Sequence, residues 1–485
     1  MKHLSEILSS TEVRSFTASA DPEITGLTFD SREVKAGDCF FALRGTQVDG
    51  HDYIERAVEA GAAAVVCEQL PERLSDDVCY VVVENSSAAM ADIAAAYYDH
   101  PSRELRLVGV TGTNGKTTIA TLLYDLFRAL GYRVGLISTV VYRIDRREIP
   151  STHTTPDALR LQAMLREMVD CGCEYCFMEV SSHSLVQDRV RGLEFCGAGF
   201  TNLTHDHLDY HGTFKEYIRA KKLLFDRLPK RAFAVVNADD RNGEVVVQNC
   251  RARVATYSLR QMATYHCKVL EMLFDGMLLR LNERELWVGM IGRFNAYNLA
   301  CVYGIAMELG AHSDEVLCAM SALHSVSGRF EPLRSETGLT AIVDYAHTPD
   351  ALQNVIDTIN DIRTPQQRLI VVCGCGGDRD STKRPEMGAI ASREADVAVL
   401  TSDNPRTEDP EQILDQMMAG VEPQSQTLRI TDRSQAIRTA VMLAQAGDII
   451  LVAGKGHETY QIVGREKLHF DDREELQRAF AELKK

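Results

Sequence analysis

The sequence predicts an α/β protein of three units, residues 1–102, 103–328 and 329–485, the central one a doubly wound sheet with a phosphate loop and the last a second, Rossmann-like α/β sheet. Three observations carry this expectation. A chain of 485 residues is too long for one hydrophobic core, and such chains divide into domains of roughly 100 to 200 residues. From residue 105 onward, apolar runs of strand length alternate with amphipathic stretches of helical period, the pattern of a sheet covered by helices. The texture breaks twice: at His100-Pro101-Ser102, where proline disfavours helix in the residue before it, and at Gly328-Arg329-Phe330, where a new series of strand, loop and helix begins.

In the first unit, short strand-like runs at 24–29 and 39–43 are separated by Gly and Asp, and alanine-rich helical stretches follow at 57–63 and 88–98. The central unit opens with a strand at 105–110, a loop at 111–115 and a helix from Lys116, whose Ile119, Leu122, Leu123, Leu126, Phe127 and Leu130 fall at helical spacing. A buried strand is expected at 176–180, and a helix at 214–228 capped by Thr213. In the third unit, strands at 341–343, 369–373, 397–400 and 449–452 each run into a loop of Gly, Asp, Asn or Pro. Ligands of open α/β sheets collect at those carboxyl ends.

Composition narrows the function. Hydrophobic residues at 45% and charged residues at 25% are ordinary for a globular protein, and a net charge of -16 argues against a nucleic-acid binder while leaving room for a local basic pocket. The thirteen cysteines are odd in number and scattered, with no second pair at zinc-ligand spacing, so they read as reduced thiols. The N-terminal MKHLSEILSS lacks a signal-length apolar core and no run of 18 apolar residues occurs; a cytoplasmic protein without membrane insertion is expected.

The strongest signal is LVGVTGTNGKTT. Glycines let the backbone of Gly112, Thr113, Asn114 and Gly115 turn its N–H groups around phosphate oxygens, the helix start adds a favourable dipole, Lys116 reaches the β- and γ-phosphates of ATP, and Thr117, followed by Thr118, can ligate magnesium. The strict eight-residue form would have glycine six before Lys116, where Val110 stands. Downstream, two apolar strands end in bursts of carboxylates and imidazoles, at 177–183 and 200–212. Glu179 is a hard oxygen ligand suited to Mg2+, and His207 suits a second ion. Lys221 falls on the apolar stripe Phe214, Tyr217, Ile218, Leu224, Phe225, Leu228, seven after Phe214 and four after Tyr217. Such a lysine either snorkels to solvent or is buried, loses its proton and takes up carbon dioxide as a carbamate.

The loop TGTNGKTT, with DHLDYHG and Lys221 nine residues beyond it, resembles the Mur ligase family, and the resemblance runs the length of the chain. It implies an N-terminal uridine-nucleotide-binding domain, a central P-loop ATPase-like domain and a C-terminal domain for the incoming amino acid. It implies ATP-dependent addition of meso-diaminopimelate to UDP-N-acetylmuramoyl-L-Ala-D-Glu through an acyl phosphate, by a chain expected to act as a monomer. The catalytic and metal positions carried over are Lys116, Glu179, His207 and Lys221 as N6-carboxylysine, with Thr117. Phe29, Ser31, Thr46 (where many members have histidine) and Gln47 fall in the uridine pocket, and His153, Thr154, Thr155, Ser181, Gln187 and Arg189 match positions around the muramoyl-dipeptide. Arg189 is a fitting partner for a carboxylate or diphosphate.

For ATP, the resemblance implies that Asn295 of GRFNAYN, with its paired amide groups, meets the base, that Arg329 contacts phosphate once the domains close, and that Asp344 and His347 lie near the nucleotide. The amino-acid signature is Asp403-Asn404-Pro405-Arg406, joined by Arg379, Gly454 and Glu458. Diaminopimelate has one carboxylate more than lysine, and the planar guanidinium of Arg406 is shaped to grip it; Glu458 suits an ammonium. The rival readings are an L-lysine-adding ligase of the same shape, a folylpolyglutamate synthetase, and a P-loop regulatory ATPase without ligase activity.

Overall fold

The computed structural model describes residues 2–17, 21–45, 48–204 and 208–485. An 11-stranded sheet forms the centre. Its middle strands lie in the order Val134–Ile137, Tyr175–Glu179, Arg106–Thr111, Gly197–Phe200, Phe233–Asn237, Arg253–Ser258, all parallel. Arg106–Thr111 is buried in every residue after the first, as a parallel strand covered on both faces must be. The chain fills positions on one side of this strand with Val134–Ile137 and Tyr175–Glu179, then crosses to Gly197–Phe200 on the other. Its carboxyl end is therefore the switch point of the sheet, where open α/β folds bind ligands.

Helix Lys116–Ala129 buries its apolar stripe, Ile119, Leu122, Leu123, Leu126 and Phe127, against this sheet. Helix Phe214–Asp226 is capped by Thr213, whose hydroxyl accepts from the Glu216 N–H at 3.2 Å, and it buries Tyr217, Ala220, Leu224 and Phe225. Lys221 lies on the same buried face, 1% exposed. Of the two fates that spacing left open, burial is the one adopted.

A five-stranded sheet precedes the central one, in the order Val13–Thr17, Cys79–Val83, Ala64–Cys67, Cys39–Phe41, Leu27–Thr28, with only the first pair antiparallel. Its helix Ser86–Tyr97 packs on helix Ala158–Asp170 of the central unit in one apolar cluster, and Arg191 pairs with Asp92 at 3.1 Å. A six-stranded sheet follows, ordered Glu331–Arg334, Thr340–Asp344, Ile449–Ala453, Leu369–Cys373, Val397–Leu400, Thr427–Arg429, parallel except at the first pair, with an apolar cluster on each face.

Several local expectations shift. The run 24–29 is two strands, Glu23–Ile24 and Leu27–Thr28, in different sheets, because Gly26 turns the chain where a side chain would meet Asp38 Oδ1 at 2.6 Å. The helix expected at 57–63 is Ile54–Glu59, stopped before Gly61 at φ +99°. His100-Pro101-Ser102 is no loose connector: His100 takes φ +50°, Pro101–Arg103 forms a 3₁₀ turn, and the buried Ser102 hydroxyl accepts from the Glu194 N–H at 3.1 Å. Among the described residues no helix is long and apolar enough to cross a membrane.

Candidate active site

The loop after Arg106–Thr111 is shaped by its glycines. Gly112 has φ +149° and a side chain there would collide with Thr201 Oγ1; Gly115 has φ +89° and would meet Asn298 Oδ1 at 2.5 Å. The neighbouring strand end holds the loop. Thr113 N–H donates to the Asn202 carbonyl (2.8 Å), Asn114 N–H to Asn202 Oδ1 (2.9 Å), and Thr201 Oγ1 donates to the Asn114 carbonyl (2.6 Å). Two lysines converge on one carbonyl: Lys116 Nζ donates to Gly112 O at 3.0 Å and Thr113 O at 2.8 Å, and Lys221 Nζ donates to Gly112 O at 2.7 Å from beside the Tyr217 ring. At the head of the next helix, Thr117 is buried and Thr118 beside it.

Glu179 pairs in register with Val110, so it ends the strand adjacent to the loop. It is 1% exposed, and its two carboxylate oxygens face the Thr139 N–H (2.7 Å) and Thr139 hydroxyl (3.2 Å); that hydroxyl is also 3.0 Å from Thr154 Oγ1. The Thr155 hydroxyl donates to the Glu179 carbonyl at 2.8 Å and accepts from the Ser181 N–H at 3.2 Å. Arg189 donates through Nη1 to the Thr155 carbonyl (2.9 Å) and through Nε and Nη2 to Gln187 Oε1 (2.9 and 2.6 Å). Thr154, Thr155, Ser181, Gln187 and Arg189, scattered over 36 positions from 154 to 189, thus share one hydrogen-bond net with Glu179. His153 lies exposed at its margin, its carbonyl accepting from the Tyr142 hydroxyl at 2.5 Å.

The remaining positions are spread more widely. Ser31 is buried and Phe29 exposed in a turn of the N-terminal sheet, where Arg32 chelates Asp30 and holds its carboxyl down at about 2. Thr46, Gln47 and His207 lie outside the described residues. Asn295 is buried at the start of helix Arg293–Glu308; its Nδ2 donates to the Ile291 carbonyl (2.8 Å) and its Oδ1 accepts from Asn298, the residue that abuts Gly115.

Arg329 joins the third sheet to the loop. Its guanidinium lies 4.7 Å from the Tyr345 ring centre and donates to Thr117 Oγ1 at 3.2 Å, and its buried Nε has no partner among the described residues. Such an orphaned cationic donor calls for an anion. Asp344 accepts from the Phe330 N–H at 2.7 Å; burial pushes its carboxyl up to about 6, against the pull of Arg329 and two backbone N–H groups. His347 has Nδ1 2.9 Å from the Tyr345 carbonyl, and its own carbonyl accepts from Lys383 at 2.9 Å.

Because its folded value lies above the ordinary 3.8, Asp344 favours folding while protonated, and that advantage is lost as pH rises from about 4 through about 6. Asp344→Asn removes the titration. Relative to this variant, the wild-type apo chain is expected to lose up to roughly 3 kcal/mol of stability between pH 4 and 7, read from parallel unfolding curves. Parallel pH dependence in the two proteins contradicts the assignment.

The amino-acid signature follows Val397–Leu400. Asn404 is buried: its Nδ2 donates to Glu458 Oε2 at 2.8 Å, its Oδ1 accepts from the Ile462 N–H at 2.9 Å, and its carbonyl accepts from Gly377. Arg406 takes φ +51°, bridges to Val463, and donates through Nη1 to the Gly377 carbonyl at 2.7 Å. Gly454, at φ +118°, packs where a side chain would meet Asp403 Oδ2 at 2.5 Å. Asp403, Asn404, Pro405, Arg406, Gly454 and Glu458 are therefore brought together as one wall of joined loops, with Arg379 exposed at its edge. Burial and the nearby Asp403 raise the Glu458 carboxyl.

Residues that the sequence reading passed over complete this wall. Lys455 is fully buried against Asn404 and Glu458. Arg384, also buried, clamps Glu408 and the Gly376 carbonyl, fixing the two loops that carry Arg379 and Arg406. His457 lies 5.0 Å from the Tyr345 ring; burial and the charges of Arg329 and Arg473 push its imidazole down to about 3. Lys455 and His457 stand inside AGKGHE, whose glycines were legible; the burial of the side chains beside them was not.

Comparison with known proteins bears on this geometry. Residues 23–98 match the family description "Mur ligase family, catalytic domain", 110–306 "Mur ligase middle domain", and 328–456 "Mur ligase, glutamate ligase domain". The chain is 53% identical to the UDP-N-acetylmuramoyl-L-alanyl-D-glutamate--2,6-diaminopimelate ligase of Bacteroides fragilis, over 99% of both chains. It is 33% identical, with a TM-score of 0.70, to a solved structure of a ligase of the same description, covering 100% of this chain and 99% of that one. A MurF structure from Acinetobacter baumannii, 16% identical with a TM-score of 0.68 over 100% of this chain and 99% of that one, shares the fold.

Proposed function

The chain belongs to the Mur ligase family, and from that premise we propose that it ligates meso-2,6-diaminopimelate to UDP-N-acetylmuramoyl-L-alanyl-D-glutamate with ATP. One observation carries the reading: Arg329 spans from Thr117, at the helix start after the phosphate loop, to Tyr345, the Tyr345 ring lies 5.0 Å from that of His457, and His457 adjoins Glu458 of the amino-acid wall. Phosphate chemistry and amino-acid recognition thus share one crevice. A regulatory ATPase has no use for that junction, and the matched N-terminal region at 23–98 favours a uridine-nucleotide substrate over a folate.

The D-Glu carboxylate attacks the γ-phosphorus, ADP leaves, and the diaminopimelate amine displaces phosphate from the acyl phosphate to leave an amide. Lys116 and Arg329 hold the charge of the transferring phosphoryl group, and Arg189 with Thr155 and Ser181 orients the dipeptide carboxylate toward it. Arg406 and Glu458 grip the distal carboxylate and ammonium of diaminopimelate, leaving its other amine to attack. Magnesium fits the donor set: the Thr117 hydroxyl and Glu179 carboxylate are hard oxygens flanking the loop, and such an ion takes one or two protein oxygens plus phosphates. With carboxylated Lys221 and with His207, these residues would hold it, and when bound it offsets phosphoryl charge. The working units remain 1–102, 103–328 and 329–485, acting as a cytoplasmic monomer.

Phosphate release tests the proposal. Turnover is expected only with ATP, UDP-N-acetylmuramoyl-L-Ala-D-Glu and meso-diaminopimelate together. Release without the nucleotide precursor, or equal release with L-lysine, overturns it.

A further inference from the structure

We propose that Lys455 is the positioning residue of the amino-acid pocket: its ammonium locks the 403–406 loop to Glu458 and leaves that wall a single negative charge for the substrate's ammonium. The inference rests on the reading that this pocket takes a diamino acid.

Lys455 has no exposed surface, which is rare for lysine unless it is partnered. Its Nζ donates to Asn404 Oδ1 at 3.1 Å and Glu458 Oε2 at 3.3 Å, with the Tyr460 ring 5.6 Å away. Asn404 closes the triangle by donating to the same Glu458 oxygen and accepting from Ile462 N–H. One ammonium and one amide therefore join the 403–406 loop, the 454–458 turn and strand Tyr460–Val463. The turn is fixed on both sides of the lysine: Gly454 abuts Asp403, and Gly456, at φ +52°, abuts the Gly328 carbonyl, where a side chain would sit at 2.6 Å. Lys455 has little freedom to swing out.

Two ionisable side chains act on Glu458: Asp403, of like sign, and Lys455, of opposite sign. Burial and Glu458 itself raise the phenols of Tyr345 and Tyr460, which stay neutral; His457 is neutral, and Arg433 behind Asp403 is matched by Asp472 at 2.7 Å. Without Lys455, two neighbouring carboxylates with no counterion of their own would leave one of them prone to protonation. With Lys455 in place, Asp403 and Glu458 together keep one unit of negative charge, the complement of a substrate ammonium.

The test uses the full chain with saturating ATP and UDP-N-acetylmuramoyl-L-Ala-D-Glu, and follows kcat/KM for meso-diaminopimelate from pH 6 to 9.5. Lys455→Gln keeps a hydrogen bond to Asn404 but no charge, Lys455→Met keeps neither, and Lys455→Arg keeps the charge. In the Gln and Met variants the KM for diaminopimelate should rise at least about tenfold with the KM for ATP within about twofold, and the acidic limb should move up by about one pH unit as Glu458 loses its counterion. The Arg variant should leave the limb in place. Should the Met variant not fold, the Gln variant decides alone. An unmoved limb in Lys455→Gln, or an equal rise in the KM of all three substrates, overturns the inference and reduces Lys455 to packing. A wild type that does not use diaminopimelate overturns the function proposed above instead.

Discussion

Lys221→Ala is expected to lower ATP-dependent ligation by at least about two to three orders of magnitude while leaving the fold intact. The side chain is 1% exposed, and its Nζ reaches the Gly112 carbonyl at the centre of the phosphate loop. Two roles fit that position. As an amine, Lys221 fixes the loop; in the proposed reaction with carbon dioxide, which releases one proton, it would become a carboxylate on a long arm with hard oxygens at the phosphate loop. The two are separable. Intact-mass analysis under native conditions should show the added carbon dioxide, and acetate or formate at high concentration should restore part of the activity of Lys221→Ala by filling the vacated space with a carboxylate. An unmodified native Lys221, together with a variant deaf to added carboxylate, would leave only the loop-fixing role.

How much of this was legible in the sequence depended on the range of the forces involved. Glycines that must adopt positive φ, as at Gly112 and Gly115, mark the loop in any context, and the parallel strands 369–373 and 397–400 read true because buried β-branched runs have few alternatives. The stripe through Tyr217 and Leu224 identified the face on which Lys221 sits, but a stripe cannot say whether a long side chain follows it inward. The strands Tyr265–Leu273, Gly276–Leu281 and Arg284–Val288, which extend the central sheet as an antiparallel edge, were not among the expected elements, because Lys, Glu and Arg interrupt the continuous apolar runs by which the buried strands were recognised. The net joining Thr155, Glu179 and Arg189 is set by tertiary packing: Arg189 alone reads as a surface charge, and only the fold brings it to the Thr155 carbonyl. Lys455 was missed for the same reason. Between two glycines in a polar loop, nothing local announces a buried ammonium.

Arg406 gives the sharpest test of substrate choice. Its backbone sits at φ +51°, a region that costs a side chain-bearing residue roughly 1 to 2 kcal/mol, and it is held there by the bridge to Val463 and the N–H bond to the Ile462 carbonyl at 3.0 Å. That geometry presents a half-buried guanidinium with Nη1 on the Gly377 carbonyl, beside the Gly376 turn. On the proposed role, replacing Arg406 by Ala or Lys removes a bidentate, charge-assisted contact to the distal carboxylate worth roughly 1.5 to 3 kcal/mol. Selectivity for meso-diaminopimelate over L-lysine should therefore fall at least about tenfold, since roughly 1.4 kcal/mol is a factor of ten. Lysine keeps the charge yet cannot reproduce the fork, so Arg406→Lys should resemble Arg406→Ala more than wild type. The loss should fall on kcat/KM for diaminopimelate, with the KM for ATP little changed, because the phosphate loop is held by Thr201, Asn202 and Arg329 rather than by this wall. An Arg406→Ala enzyme with undiminished preference would remove the residue from substrate recognition and, with it, the physical ground for choosing diaminopimelate over lysine.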